Sequence, residues 1–203
     1  EFTPTSTGVQ NDQVNFSYFN GAATVNATAD LDGNGVNPAS LAIAANPDSF
    51  NWGIQETTTT VDHTFTVTNS GDVDATGITE TGLGGDWSMP GGYPGGGTCP
   101  GTGTIASGAS CTIIVRWTPS MSGLATDTIS LAYNDGTIAG PPNATAALNG
   151  DARTRAVLTI TANPDAFGFG PKPIGSTTVH EWTLTNTGEM DATAIAGDVF
   201  GLA

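Results

Sequence analysis

The sequence has few basic residues, and this scarcity excludes several classes of partner. Only four lysines and arginines stand against 19 acidic residues, which gives the 203-residue chain a formal net charge of −15. Proteins that bind nucleic acid neutralise phosphates with clustered Lys and Arg, so nucleic acid is not expected as a partner. Attachment to an anionic membrane surface by charge is disfavoured for the same reason.

Long apolar runs and amphipathic helical patterns are also missing from the sequence. No apolar run reaches the roughly 18 residues that a membrane-spanning helix needs, so direct insertion into a membrane is not expected. The hydrophobic content of 37% is modest, and the chain carries 28 glycines and 12 prolines. Because the apolar residues alternate with polar ones, a small β-sheet core is still expected.

An internal repeat organises the sequence. LAIAANPDSFNWG at 41–53 recurs 117 residues later as LTITANPDAFGFG at 158–170. HTFTVTNSGDVDATGI at 63–78 recurs with the same spacing as HEWTLTNTGEMDATAI at 180–195. Two motifs that keep one spacing indicate a repeated structural unit rather than a chance similarity.

The start of the chain matches the end of the same unit. NATADLDG at 26–33 corresponds to NATAALNG at 143–150. We therefore predict the C-terminal part of one module at 1–40, one complete module at 41–157 and the N-terminal part of a third at 158–203. Each end piece would expose an apolar face, which is costly in water, so we expect that these residues were cut from a longer chain.

Within the complete module, apolar residues alternate with Ser and Thr, as in strands with one buried face. Asn-Ser-Gly-Asp at 69–72 and Asn-Asp-Gly at 134–136 are turn sequences. About seven short strands separated by such turns predict a β-sandwich. The predicted core residues, which share the inward face of these strands, are Phe50, Trp52, Phe65, Val67, Ile113, Val115, Trp117, Ile129, Leu131 and Tyr133.

The ordered set of motifs resembles a known family of bacterial repeats. ANPDSFNWG, FTVTNSGDVDATGI and ASGASCTIIVRWTPSMSG, followed by a final strand that ends in LNG, look like the choice-of-anchor D type of repeat. That family is similar to the ASH (abnormal-spindle and hydin) and major-sperm-protein immunoglobulin-like domains. The resemblance implies an all-β chain of tandem immunoglobulin-like β-sandwich modules in an extracellular bacterial protein. It implies no reaction and names no ligand.

Cys99 and Cys111 are the only cysteines, and they flank a stretch rich in Gly and Ser. A metal site would need further ligands, and neither histidine has a ligand-like spacing with the two cysteines. A disulfide would attach the loop to the following strand. By reducing the loop entropy of the unfolded chain, it would stabilise the folded state by about 3 kcal/mol. The pair therefore favours a disulfide over a redox or metal site, and a disulfide indicates an oxidising compartment.

The segment 82–103 is rich in Gly and Pro, which excludes regular structure. We expect Trp87 to be a core residue of a short strand. Tyr93 stands between Gly-Gly and Pro, and we expect it to be exposed. An exposed aromatic side chain can stack on a sugar or on a partner surface, so Trp87 and Tyr93 mark the candidate ligand-contact loop. The alternative is a flexible surface loop without a partner.

Asp30, Asp32 and Asn34 reproduce the opening of a calcium-binding loop. The twelfth position is Leu41 instead of Glu, and the equivalent segment of the complete module has lost most of the carboxylates. The segment is therefore interpreted as a polar turn between modules, with a bound calcium ion that stiffens the linker as the alternative. No other cofactor is predicted.

No arrangement of residues in the sequence indicates catalysis. His63 and His180 are equivalent positions, but Asp62 precedes the first and Val179 the second, so no acid–base partner is repeated. A repeated histidine on a strand is interpreted as a packing or surface residue. The sequence has no Gly-x-Ser-x-Gly motif and no Ser–His–Asp set. We therefore expect a protein that is not an enzyme.

The repeat without a repeated chemical site predicts a structural or adhesive role. The chain would be a stalk, spacer or filament region of a long bacterial protein, located outside the cell or on its surface. Its partners would be neighbouring modules, joined by short connections at about 151–157, or other copies of itself in a fibre. The alternative is a module that binds a glycan or a protein through the 82–103 loop.

Overall fold

The computed structural model describes residues 1–44, 49–101, 103–137, 142–161 and 167–197. The Asn-Pro-Asp motifs of both repeats and the end of the predicted third module lie outside these ranges. The described residues form β-strands and no helix, which confirms the all-β class. The strands are β1 (Gly8–Phe19), β2 (Thr24–Gly35), β3 (Leu41–Ala44), β4 (Ser49–Glu56), β5 (Val61–Asn69), β6 (Thr76–Glu80), β7 (Trp87–Ser88), β8 (Ser110–Trp117), β9 (Gly123–Asn134), β10 (Asn143–Arg153), β11 (Leu158–Thr161) and β12 (Thr183–Asn186).

Strands β3 to β10 form a sandwich of two four-stranded sheets around one core. One sheet has the strand order β3-β5-β8-β7, and the other has the order β4-β10-β9-β6. Neighbouring strands are antiparallel except β4 and β10, which are parallel. The predicted β-sandwich is therefore confirmed. It has eight strands rather than about seven, because the two residues of β7 pair with the end of β8.

The alternation of apolar and polar residues along the strands determines which side chains form the core. In β8, the side chains of Ile113, Val115 and Trp117 are fully buried, while Ile114 and Arg116 are only half-buried. Each fully buried large apolar side chain contributes about 1.5–3 kcal/mol to folding, so these strands hold the two sheets together. Of the ten predicted core residues, all are buried except one: Phe50 is half-buried in the edge strand β4 and packs against the core.

A close approach between β10 and Trp117 explains one of the glycines. A Cβ atom at Gly150 would lie 2.5 Å from Cζ3 of the Trp117 ring, closer than carbon atoms can pack. The same arrangement recurs in the repeat-equivalent pair at the start of the chain. There a Cβ atom at Gly33 would lie 2.6 Å from Cζ of Phe2. An aromatic ring over a glycine is therefore a feature of both copies.

Strands β1 and β2 form a separate antiparallel hairpin that repeats the geometry of β9 and β10. Gly8 pairs with Gly35, just as the repeat-equivalent residues of β9 and β10 pair with each other. The sheet that covers β9 and β10 has no counterpart over this hairpin among the described residues. Phe16 and Tyr18 are consequently 68% and 54% exposed, whereas Leu131, the equivalent of Phe16, is fully buried.

Strands β11 and β12 pair as β3 and β5 do. Leu158 lies opposite Asn186, as Leu41 lies opposite Asn69. No second sheet covers β11 and β12 within the described residues, and Leu184 is about half exposed. The three-module division stays a prediction, but the pairing of both end pieces is that of matching parts of the sandwich.

Candidate functional site

The segment 82–103 is largely irregular, as predicted, but it is bonded to the edge of β8. The N–H of Ile114 donates to the carbonyl of Pro94 at 3.0 Å, and the N–H of Cys99 donates to the carbonyl of Thr112 at 3.0 Å. The hydroxyls of Thr98 and Thr112 are 3.0 Å apart. Residues 94–99 thus continue along β8 beyond β7 and satisfy its outer backbone groups.

Glycine allows this segment to approach β8 closely. A Cβ atom at Gly95 would collide with the carbonyl oxygen of Ile114, and one at Gly97 would collide with that of Thr112. Gly95 also has a φ of +75°, a conformation that side-chain-bearing residues seldom adopt. These glycines therefore serve backbone contact rather than flexibility.

The same segment continues to the second sheet. Ala75 and Ile105 exchange two backbone hydrogen bonds of 3.0 and 2.9 Å, and the N–H of Ile78 donates to the carbonyl of Gly103 at 3.0 Å. Residues 94–101 and 103–105, which we call the edge-closing segment, are bonded to one sheet at β8 and to the other at β6. They close one side of the sandwich.

The two cysteines lie within this attachment. Cys99 and Cys111 form a disulfide, with their Cα atoms 4.7 Å apart, and both side chains are buried. The disulfide ties the edge-closing segment to the second residue of β8. The predicted disulfide is confirmed, and the described residues contain no free cysteine.

The two aromatic residues proposed as ligand contacts both face the core. Trp87 is 5% exposed, and its ring stacks on that of Trp117 with centroids 5.0 Å apart. Tyr93 is half-buried and packs against the core, and burial raises the pKa of Tyr93. The prediction that Tyr93 is exposed is wrong. The bonds from residues 94–99 to β8 hold this turn against the sandwich, so the ring points inward.

The candidate calcium residues lie in a strand and not in a turn. Asp30, Asp32 and Asn34 belong to β2, where they pair with residues of β1. Alternate residues of a strand share one face at a spacing of about 6.6 Å, so the three side chains form a row and do not surround a common point. Gln13 donates to the carboxylate of Asp30 at 2.7 Å. Within the described ranges, no group of three or more His, Cys, Asp or Glu is placed to hold a metal ion.

The interpretation of 30–34 as a polar turn is therefore wrong. Its Asp, Asn and Gly residues indicate a turn, but the long pairing with β1 determines its conformation. Ala29 and Leu31 do alternate with Asp30 and Asp32, and this period of two is the strand signal that the Asp, Asn and Gly composition obscured.

Both histidines are packing residues. The ring of His63 stacks on that of Phe50 with centroids 3.5 Å apart, and burial lowers the pKa of His63. The ring of His180 stacks on that of Phe167 at the same distance. A histidine held against an aromatic ring in both copies agrees with the interpretation drawn from the sequence.

Asn69 is a structural residue whose sequence context, Asn-Ser-Gly-Asp, indicates only a turn. It is the one fully buried polar side chain among the described residues. Its Oδ1 accepts hydrogen bonds from Ser40 and Gly71 at 3.1 Å, and its Nδ2 donates to the carbonyls of Val73 and Ile105 at 2.9 and 3.1 Å. The signal that reveals its role is its recurrence at 186, in the same Asn-x-Gly-acid motif.

The family model for the HYDIN/CFA65/VesB-like, Ig-like domain matches residues 42–151. The chain belongs to this Ig-like domain family. The match extends over the sandwich from β3 to β10, so the immunoglobulin-like β-sandwich and the ASH-like resemblance are confirmed.

Two solved structures illustrate what this chain is similar to. The Vibrio cholerae VesB protease is 24% identical over 57% of this chain, with a TM-score of 0.40, and this chain covers 32% of it, about a third of its length. The ASH/PapD-like domain 7 of human CEP192 is 12% identical over 58% of this chain and 88% of its own, with a TM-score of 0.42. A search of curated protein sequences finds no match. The described residues include no helix long and apolar enough to cross a membrane.

Proposed function

We propose that the chain is a structural or adhesive region of a long extracellular bacterial protein, in which Ig-like modules act as stalk, spacer or filament elements. The observation that carries this proposal is that the edge-closing segment, the most distinctive part of the module, makes contacts within the fold. The edge-closing segment (94–101 and 103–105) closes one side of the sandwich and is hydrogen-bonded to both sheets. The proposed role needs a durable module and no ligand pocket.

Further support comes from the kind of contact that recurs. The ring over a glycine, the histidine stacked on a phenylalanine and the asparagine in its turn all occur in two copies. Each of them packs or hydrogen-bonds within the fold. Repeated internal contacts are expected in an array whose modules each reproduce the same support.

The location outside the cell is supported by the disulfide. Disulfides persist in oxidising environments such as secreted proteins and cell surfaces and are rare in the cytosol. Cys99 and Cys111 are both buried, which suits a permanent bond. The net charge of −15 opposes self-aggregation of a repetitive chain.

Immuno-electron microscopy of intact cells that carry the native protein tests this proposal. Antibodies against the sandwich are expected to label the cell surface or fibres that project from it, without permeabilisation. Labelling that requires permeabilisation would refute the extracellular role. Whole cells treated with a surface protease before labelling are the control, because they should lose the signal.

The alternative binding role has weaker support, since Trp87 is buried and Tyr93 is half-buried. A glycan array probed with the chain separates the two roles. We expect no glycan to be retained above background. Binding that is lost in a Tyr93→Ala variant would instead favour recognition through the 82–103 loop.

A further inference from the structure

The connection between β2 and β3 is hydrogen-bonded to the turn that follows β5. Within residues 36–40, the backbone N–H and the side-chain amide of Asn37 each donate to the carboxylate of Asp72 at 2.8 Å. The N–H of Asp72 donates back to the carbonyl of Asn37 at 3.1 Å. The N–H of Ser40 donates to Oδ1 of Asn69 at 3.1 Å. The connecting segment is therefore held at both of its ends.

The connection between β10 and β11 makes the same bonds 117 residues later. The N–H of Thr154 donates to the carboxylate of Glu189 at 2.7 Å, and the N–H of Glu189 donates back to the carbonyl of Thr154 at 3.2 Å. The N–H of Val157 donates to Oδ1 of Asn186 at 3.1 Å. Four residues at one connection thus occupy the positions of their repeat equivalents at the other.

The glycine of each turn is required by this contact. A Cβ atom at Gly71 would collide with the carbonyl oxygen of Pro38, and one at Gly188 would collide with that of Arg155. In both copies the turn therefore lies directly against the backbone of the connecting segment. Any side chain at these positions would push the segment away.

Between consecutive modules, almost every residue lies either in a strand or in one of the hydrogen bonds described above. The strand β10 extends to Arg153, so the connection predicted at about 151–157 begins only at Thr154, which is the first bonded residue. Between β2 and Asn37 only Val36 stands free. Flexible linkers allow units to reorient because several residues rotate independently, and these connections lack such residues.

A charged contact adds to the second connection. The guanidinium Nε of Arg155 donates to the carboxylate of Glu56 in β4 at 2.5 Å. Arg155 is largely exposed, so this pair contributes little to stability. It nevertheless joins the segment that leads into β11 to the body of the preceding sandwich.

We infer that the Asn-x-Gly-acid turn of each Ig-like module, at 69–72 and 186–189, is a junction clamp that binds the segment leading into its module and fixes how consecutive modules are joined. The inference deepens the proposed spacer role and rests on it for its biological meaning. The clamp makes the array a stiff rod and not a string of independently rotating modules. The partner of the clamp is the last four residues of the preceding module, at 37–40 and 154–157.

Distance measurements between spin labels on the full chain test the clamp. One label is placed at Thr79 in β6 and the other at Thr185 in β12, both of them exposed positions. Pulsed electron resonance then gives the distribution of distances across the second junction. We expect a single narrow distribution for the chain with the clamp intact.

Two variants weaken the clamp in different ways. Gly188→Ala inserts an atom against the Arg155 carbonyl, and Glu189→Ala removes the carboxylate that accepts from Thr154. Both variants should broaden the distance distribution at least about twofold, because a more freely rotating linker lets the modules adopt more relative orientations. Glu181→Ala is the matched control, because it removes the same charge from an exposed residue and should leave the width unchanged.

Glu189→Ala is the decisive variant, because it adds no atom and leaves the β11–β12 pairing residues in place. An unchanged width in Glu189→Ala, or a distribution that is already broad with the clamp intact, would overturn the clamp. Either result would leave the proposed extracellular role standing. A failure of surface labelling on cells would refute that role without affecting the junction measurement, so the two failures are distinguishable.

Discussion

Replacing Gly150 by alanine is expected to weaken the sandwich, because the new methyl group meets the most deeply buried ring of the core. The added Cβ would lie 2.5 Å from Cζ3 and 3.1 Å from Cζ2 of Trp117. Trp117 has no exposed surface, and its ring stacks on that of Trp87, so it cannot move aside freely. Overpacking of this kind costs about 1–3 kcal/mol.

A smaller opposing effect comes from the backbone. Alanine restricts the unfolded chain more than glycine does, which stabilises a protein by about 0.4–1 kcal/mol where the native conformation is compatible. The net loss for Gly150→Ala should therefore lie between about 0 and 2.6 kcal/mol, with a central value of about 1.3 kcal/mol. Gly84→Ala is the matched control, because a Cβ there meets nothing within 4 Å, and it should be neutral or slightly stabilising.

Urea unfolding followed by tryptophan fluorescence measures this difference. With a denaturant slope of about 2 kcal/mol per molar urea, the central estimate lowers the midpoint of Gly150→Ala by roughly 0.6 M. The stacked rings of Trp87 and Trp117 should also give an altered emission spectrum in the folded variant. A midpoint equal to that of Gly84→Ala would refute the close approach between β10 and Trp117.

Three further changes test other parts of the sandwich. Phe65→Ala removes a ring that is 1% exposed and should cost about 3–5 kcal/mol in the same assay; a cost below about 1 kcal/mol would mean that the β5 side chain is not in the core. Reduction of the Cys99–Cys111 disulfide should lower the free energy of unfolding by about 3 kcal/mol, and thiol labelling of the denatured, unreduced chain should find no free cysteine. Because burial lowers the pKa of His63 below its ordinary value of 6.5, the unfolded state binds more protons than the folded state just below that pH. Stability should therefore fall as the pH drops from about 7.5 to 5.5, and His63→Gln should flatten that slope; an unchanged slope would contradict the assignment.

The sandwich itself was predictable from the sequence wherever a strand has one covered face. In β8, the period of two at Ile113, Val115 and Trp117 predicts which side chains point inward, and all three are buried in the core. The turn at 69–72 was equally clear, because Asn, Gly and Asp provide conformations and hydrogen bonds that strands do not use. The disulfide followed from the lack of other ligands for the two cysteines.

The candidate site was less predictable, because its contacts are made by the backbone. The segment around Gly95 and Gly97 contacts β8 through main-chain atoms. Its glycine-rich sequence looks the same as that of a loop without such contacts. The inward position of Tyr93 depends on those contacts, so it could not be read from its neighbours in the sequence. The strand conformation of Asp30 was missed for a related reason, since strand pairing over a distance overrides local turn preference.

The edge-closing segment has a consequence for how similar modules fold side by side. In a chain of repeats, each strand meets the corresponding strands of its neighbours at a high effective concentration set by the short connections. Exposed strand edges are the groups through which such neighbours exchange strands and misassemble. By occupying outer backbone groups of β8 and β6, and by fixing this arrangement with the disulfide, the edge-closing segment makes this side of the β3–β10 sandwich unavailable for strand exchange with neighbouring modules.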